Sequence, residues 1–136
     1  MEREVRRGGE APLDILVVDA FSGDSIPVHL LTREAWEVYF HRLQPNGILA
    51  VHISNRYLDL WPVTARLAES FRRECLLMRN PLDLEKHYHT AYWVLVSDNH
   101  AFLSRMRLSE AALNRTPRPS IPLWTDQFSN LLQVLF

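Results

Sequence analysis

The chain has 136 residues, of which 47% are hydrophobic, and its formal net charge at pH 7 is −1. This length suits one domain with one core rather than two. Because Lys and Arg are scattered among Asp and Glu, no basic stripe exists that could neutralise a nucleic-acid backbone, and nucleic acid is not expected as a partner. The single cysteine, Cys75, excludes an internal disulfide and a multi-cysteine zinc site.

No stretch of the sequence reaches the ~20 apolar residues of a membrane-spanning helix. Residues 1–10 are charged and contain no apolar segment of the kind that a secretory signal requires. We therefore expect a cytoplasmic chain that makes no membrane contact itself, although a longer parent protein could be attached to a membrane.

The first predicted element is a strand over residues 13–20, a continuous apolar run typical of a central parallel strand covered on both faces. Thr32 then caps a predicted helix in which apolar side chains recur every three or four positions: Trp36, Tyr39, Phe40 and Leu43. A turn at residues 45–47 precedes a second apolar run at residues 48–54. The order strand, helix, strand predicts a right-handed βαβ unit with parallel strands.

Downstream, Asp59 is the predicted cap of a second helix, and residues 75–78 and 91–96 are predicted strands. The polar residues 80–90 between these strands have no helical pattern, so an antiparallel pair is expected.

The last third of the chain predicts a helix over residues 99–114 and another short helix over residues 125–135. Between them, residues 116–122 contain three prolines. Proline has no N–H and a fixed φ, so this segment is predicted to be an extended connector.

Polar residues follow both predicted parallel strands, at the edge where ligands of open α/β sheets bind. Asp19, Ser22 and Asp24 follow the first strand, and residues 54–56 follow the second. Two carboxylates on one turn could hold a cationic ligand, and one of them could accept a proton from it. An equally simple interpretation is that both carboxylates only cap the loop and the next helix, because carboxylates are common at turn positions.

Other motifs are weaker signals for chemistry. His87 and His89 could lie on one side of an extended segment, but two ligands without a third make a poor metal site, and a solvated loop is the simpler interpretation. His52, inside the second apolar run, is interpreted as a hydrogen-bonded core histidine. The sequence contains no G-x-G-x-x-G loop. No metal site is predicted.

Three segments resemble one protein family. Residues 13–27, LDILVVDAFSGDSIP, resemble the strand and catalytic loop of the spermidine synthase (polyamine aminopropyltransferase) family. Residues 51–60, VHISNRYLDL, look like the next strand and loop of its bacterial spermidine synthase-like branch, which is often fused to a transporter-like membrane domain. The ending, with LWTD at residues 123–126 and FSNLL at residues 128–132, is similar to the close of that branch.

The resemblance implies an α/β fold, the carboxyl-terminal half of the Rossmann-like fold of S-adenosylmethionine-dependent methyltransferases. That fold has a mostly parallel sheet with a final antiparallel strand. The chain would form a single partial domain, with a strand and helix core at residues 12–98 and a helical, proline-rich tail at residues 99–136. The family's glycine-rich cofactor loop is not encoded, so half of the cofactor site would be missing.

The family transfers an aminopropyl group from decarboxylated S-adenosylmethionine, a co-substrate that is not tightly bound, to an amine such as putrescine. Asp19 resembles the aspartate that accepts a proton from the attacking amine, and Asp24 resembles the second aspartate, which binds the polyamine. Tyr88 is the only tyrosine in the segment where the family's substrate loop falls. Ala20 and Ser22 are the expected cofactor contacts in the matched loop.

Three functions therefore stay open. The first is an incomplete aminopropyltransferase of polyamine biosynthesis. The second is a methyltransferase on the same fold, in which Asp19 orients a nucleophile. The third is a non-catalytic remnant or interaction module. Without the preceding strands of the fold, the first strand would keep an open hydrophobic edge, which invites association. Self-association, or pairing with an amino-terminal half through that edge, is the expected partnership.

Overall fold

A computed structural model of the protein describes residues 11–19, 27–81, 89–116 and 121–136. The helices and strands are, in chain order, β1 (Leu13–Val18), α1 (Arg33–Arg42), β2 (Leu43–His52), α2 (Trp61–Ser70), β3 (Glu74–Asn80), β4 (Ala91–Ser97), α3 (His100–Arg107) and β5 (Ala112–Leu113). Two 3-10 turns lie at Val28–Leu30 and Leu131–Val134. Within these described ranges, no helix has the length and apolar character needed to cross a membrane.

The protein is a mixed α/β structure with one five-stranded sheet in the order β1-β2-β4-β3-β5. β1 and β2 are parallel, and the other three neighbouring pairs are antiparallel. Because β4 runs opposite to both of its neighbours, β1, β2 and β3 all point in the same direction. The predicted parallel pair is confirmed, and so is the predicted antiparallel pair of the third and fourth strands.

The turn predicted at residues 45–47 lies inside β2, where residues 44–47 loop out between two paired regions of the ladder. Asn46 adopts a left-handed φ of 65°, which an asparagine tolerates better than most residues. A Cβ on Gly47 would lie 2.9 Å from the carbonyl oxygen of Gln44, so only glycine fits there without a backbone shift. The strand therefore begins five residues earlier than predicted, at Leu43, and it ends at His52.

Helices α1 and α2 cover one face of the sheet and form the main core with it. The predicted cap of α1 is confirmed, since Thr32 Oγ1 accepts a hydrogen bond from the N–H of Ala35 at 3.3 Å. The cap of α2 is corrected by one position. Leu60 is the N-cap, and Asp59, one residue earlier, accepts a hydrogen bond from the N–H of Trp61 at 3.3 Å.

Strand β1 is buried on one face only. Leu16 and Val18 pack against the main core, whereas Ile15 and Val17 are each 56% exposed. The prediction of a strand covered on both faces is therefore wrong for the described chain. Helix α3 is the element that packs on this second face, and its core contacts are with residues of β3 and β4.

The predicted helices of the last third are both corrected. Helix α3 ends at Arg107 instead of continuing to residue 114, because β5 pairs with β3 instead. The tail does not form an α-helix from Thr125, which pairs with Phe128 across a tight turn. Only Leu131–Val134 is helical, as a 3-10 turn capped by the side chain of Asn130. Residues 117–120 of the predicted connector lie outside the described residues.

Candidate functional site

The carboxyl ends of β1 and β2 meet at one edge of the sheet because the two strands are parallel. Val18 pairs with Val51 in the ladder, so the residues that follow, Asp19 and His52, are neighbours on the same face. Their side chains are in contact, with 2.8 Å between Asp19 Oδ1 and His52 Nδ1. Register thus brings together two groups that are 33 positions apart in the sequence.

A chain of hydrogen bonds continues from this pair. His52 Nε2 lies 2.8 Å from Ser54 Oγ, and the backbone N–H of Tyr92 donates to the same Oγ at 2.7 Å. We call the side chains of Asp19, His52 and Ser54 the Asp–His–Ser relay. One end of the relay is fixed to the backbone of β4, and the other end is a carboxylate that projects from the sheet edge.

The donor and acceptor roles follow from what each group can offer. An ionised carboxylate only accepts, so Nδ1 of His52 carries the proton that is donated to Asp19. In a neutral imidazole Nε2 is then the acceptor, and the Ser54 hydroxyl donates to it. The Tyr92 N–H occupies a lone pair of the serine oxygen. With Asp19 ionised and His52 neutral, this arrangement of protons satisfies the three contacts together.

The imidazole of His52 is held from the side as well as from its two nitrogens. It stacks on the indole of Trp93, its cross-strand partner, with ring centroids 4.8 Å apart and an interplanar angle of 26°. The side chain of His52 is 19% exposed, whereas that of Asp19 is 52% exposed. His52 is hydrogen-bonded, as expected, but it belongs to the site at the strand end rather than to the core.

The relay has the same order of groups as the Ser–His–Asp triad of serine hydrolases. As in that triad, the hydroxyl of Ser54 donates to Nε2 of a neutral His52. Unlike it, the Ser54 oxygen accepts the N–H of Tyr92 beside a second backbone bond, from Ile53 N to Tyr92 O at 2.9 Å. Ser54 therefore acts as part of the junction between β2 and β4. We interpret its hydroxyl as the group that fixes the imidazole tautomer.

Asn55, the next polar residue after β2, has a structural role. Its Oδ1 accepts hydrogen bonds from the N–H groups of Tyr57 and Leu58, both at 2.9 Å. This arrangement turns the chain away from the sheet edge. The carbonyl of Tyr57 in turn accepts the N–H of Phe136 at 3.1 Å, so the carboxyl-terminal tail holds the loop that Asn55 begins.

A partly buried ion pair lies behind the same loop. The side chain of Asp59 is 3% exposed, and both of its oxygens accept from the guanidinium of Arg115, one of them at 3.2 Å. The indole N–H of Trp61 donates to the carbonyl of Arg115 at 3.0 Å. A cavity of about 220 Å³ adjoins these residues. The ion pair and the indole bond hold residue 115 against the start of α2. The negative charge of Asp59 is balanced by the positive charge of Arg115.

A larger cavity, of about 750 Å³, lies between α1 and the carboxyl-terminal tail. Its polar lining groups are largely engaged with each other, since Thr32 Oγ1 donates to Asp126 Oδ1 at 2.7 Å and the hydroxyl of Tyr39 donates to the carbonyl of Leu30 at 3.3 Å. Burial raises the pKa of Tyr39 to about 12, so this phenol stays neutral at physiological pH. Asp19 is not among the residues that line this cavity.

Of the residues predicted as catalytic, substrate-binding or cofactor-binding, only Asp19 falls in the described part of the chain, and it lies at the predicted edge. Asp24, Tyr88, Ala20 and Ser22 lie outside the described residues, so their roles stay predictions. Among the described residues, no cluster of three or more His, Cys, Asp or Glu side chains could hold a metal ion.

Ser54 was expected at the same sheet edge as Asp19, but His52 was interpreted as a core residue, and the hydrogen bonds that join the three were not predicted. The signal that could have joined them is the parallel register itself, because the residues after two aligned parallel strands are neighbours. No family model matches the chain, and no curated protein matches its sequence. A functional assignment therefore rests on the motifs and on the chemistry of the Asp–His–Ser relay.

Proposed function

We propose that the protein is spermidine synthase-like and carries the amine-binding part of a site for aminopropyl transfer from decarboxylated S-adenosylmethionine. The observation that carries the proposal is the exposed carboxylate of Asp19 at the end of β1, with Oδ1 held by His52. Its Oδ2 takes no hydrogen bond from the described residues. That oxygen is available to a cationic amine approaching from solvent.

The chemistry of aminopropyl transfer requires such a group. An alkylamine with a pKa of about 10.4 is protonated at neutral pH and cannot attack until it loses a proton. A carboxylate at the amine attracts the ammonium ion and accepts that proton. The nitrogen lone pair then forms a bond to the methylene carbon beside the sulfonium, the carbon–sulfur bond breaks, and sulfur keeps the electron pair in methylthioadenosine.

The proposal includes the finer fold, the carboxyl-terminal half of a methyltransferase-like, Rossmann-like sheet. The strand directions support it, because β1, β2 and β3 run the same way and β4 is the reversed strand between β2 and β3. The remaining wall of the pocket, which would hold the nucleoside, would come from chain outside this sequence or from a partner.

A non-catalytic interaction module is the second candidate, and the exposed face of β1 favours it. Ile15 and Val17 are apolar, and each has more than half of its surface in solvent. β1 is also an edge strand of the described sheet. Strand edges of this kind are used for pairing with another chain.

Titration of the chain with putrescine, followed by backbone and side-chain NMR shifts, tests the proposed function. We expect saturable shifts centred on Asp19, His52 and Ser54, because the diamine would pair with the exposed carboxylate. 1,4-Butanediol, which has the same chain length and no charge, should produce none. Shifts that are absent, or identical with the two compounds, would contradict an amine site.

Product analysis separates the two enzyme classes. Any turnover with putrescine and decarboxylated S-adenosylmethionine should give spermidine and methylthioadenosine. N-methylputrescine formed from S-adenosylmethionine would instead favour the methyltransferase alternative. If calorimetry shows no heat with methylthioadenosine or putrescine, the interaction module becomes the better description.

A further inference from the structure

The proposed function needs only a carboxylate at Asp19, yet this carboxylate is tied to a fixed frame. The Asp–His–Ser relay begins at the backbone N–H of Tyr92, passes through Ser54 and His52, and ends at Asp19 Oδ1. Each of the three contacts is 2.8 Å or shorter. Three successive short hydrogen bonds therefore connect the sheet ladder to a side chain that is half exposed.

We propose that His52 is a positioning residue that orients the carboxylate of Asp19 toward an amine, and that Ser54 fixes the tautomer that His52 needs for this task. The inference rests on the proposed function. His52 touches the carboxylate from the protein side, so it acts on a ligand through Asp19 rather than by contact. Its Nδ1–H occupies Oδ1, and no described residue donates to Oδ2, whose lone pairs can receive the ligand.

Orientation matters here because Asp19 lies just beyond the last residue of β1, Val18. A carboxylate at an exposed strand end can rotate about two side-chain torsions, and holding it in one rotamer before the ligand arrives removes part of the entropy cost of binding. The stack of His52 on Trp93 prevents the imidazole from rotating with it. The fixed ring thereby transmits the rigidity of the β2–β4 ladder to the carboxylate.

The alternative is that Asp19 and His52 form an ion pair that only closes the edge of the sheet. Two substitutions separate these roles. The amide nitrogen of an asparagine at position 52 would lie near the place of Nδ1 and could still donate to Asp19. The amide of a glutamine is one bond further out, near the place of Nε2, and would reach Ser54 instead. Both variants lose the ring and its stack on Trp93, so they form a matched pair.

Putrescine affinity is the first readout. We expect His52→Asn to bind putrescine within about threefold of wild type, and His52→Gln to bind about tenfold more weakly, a ratio that corresponds to about 1.4 kcal/mol. A merely structural histidine would give two variants with equal affinity. Equal affinities, whether both retained or both lost, would overturn the positioning role. Backbone NMR spectra establish that each variant is folded.

The ring tautomer is the second readout and needs no ligand. In the wild-type chain, ¹⁵N NMR of His52 should show a protonated Nδ1 and a bare Nε2 at a pH where the ring is neutral. Ser54→Ala should shift the ring toward a mixture of tautomers, because Nε2 loses its hydroxyl donor. A dominant Nε2–H tautomer in the wild type would overturn the inference. A His52 tautomer that is the same in Ser54→Ala and in the wild type would also overturn it.

These readouts distinguish failure of the inference from failure of the proposed function. If the wild-type chain binds no putrescine, the proposed function fails. The coupling of His52 to Asp19 is then tested only by ¹⁵N NMR of the His52 ring tautomer. In that case Asp19→Ala, which removes the acceptor of the Nδ1–H, should release the ring from the Nδ1–H form. A ring that keeps this form without the carboxylate would show that Asp19 and His52 are not coupled.

Discussion

Asp19 and His52 become neighbours through strand register. The role of either residue can therefore be recognised only when the pairing of β1 with β2 is known. Asp19 follows a strongly apolar run and belongs to a recognisable motif, which is why the sequence points to it. His52 lies at the end of an equally apolar run and looks like a core residue. The parallel alignment of Val18 with Val51 decides its place, and this alignment is a long-range property that no local pattern encodes.

Cys75 provides a test at the residue scale that is independent of the site. Burial is the main cause that raises the pKa of its thiol to about 11, with a smaller opposing effect of Arg107 and a small further increase from Glu74. Only the thiolate reacts with alkylating agents. At pH 8 a thiol of this pKa is ionised in about one molecule per thousand, so alkylation should be roughly a hundredfold slower than for an unperturbed thiol.

Iodoacetamide labelling followed by mass spectrometry measures this rate in the native chain and in urea. The native rate should keep rising with pH up to about 11, because the raised pKa shifts ionisation of the thiol to higher pH. A native rate at pH 8 that equals the rate in urea would contradict the burial of Cys75.

At the scale of elements, amphipathic segments were predicted best. Helix α1 and its cap at Thr32 were predicted from spacing, since one face of the helix must be apolar to pack on a sheet. The segment at residues 99–114 was predicted too long because its end, Ala112–Leu113, pairs with β3. Pairing of this kind is a tertiary contact that overrides local helix propensity.

The connection of residue 115 to α2 gives a stability prediction at the element scale. Arg115→Ala would leave the carboxylate of Asp59, which is 3% exposed, without its guanidinium partner. Removing one partner of a fully buried ion pair costs about 3–5 kcal/mol. Because this pair is partly exposed and Asp59 keeps the N–H of Trp61 as a donor, we expect a smaller cost, of about 1–3 kcal/mol. Asp59→Ala should cost less, because the guanidinium of Arg115 is 44% exposed and can be hydrated.

Urea denaturation of the two variants measures both free energies of unfolding. Glu69→Ala is the matched control, since it removes a carboxylate that pairs with Arg66 on the surface of α2 and should change stability by less than about 1 kcal/mol. If Arg115→Ala is as mild as Glu69→Ala, the ion pair does not hold the connector.

At the scale of the whole molecule, the described sheet is open at β1. That strand pairs only with β2 among the described strands, and one of its faces exposes Ile15 and Val17. The open edge was expected from the resemblance, because the family's sheet continues beyond the corresponding strand. The exposure of the face could not be predicted from β1 itself, whose apolar run is the same whether or not a helix covers it.

We predict that the chain associates through β1, because an apolar edge strand offers both unpaired backbone groups and apolar surface. Sedimentation velocity should show an average mass that rises with protein concentration. Val17→Lys places a charge on the exposed face without changing the core, and it should lower the mass toward that of a monomer. A wild-type chain that stays a monodisperse monomer at high concentration and melts cooperatively would contradict the prediction.

We propose that the carboxylate of Asp19 receives a cationic amine, and calorimetric titration of the chain with putrescine tests this binding. Asp14 lies within β1, the strand that Asp19 follows, and is also exposed, so Asp14→Asn is a control with the same change of charge. We expect saturable binding by wild type and Asp14→Asn, and at least about tenfold weaker binding by Asp19→Asn. Equal affinity of Asp19→Asn and wild type would contradict it.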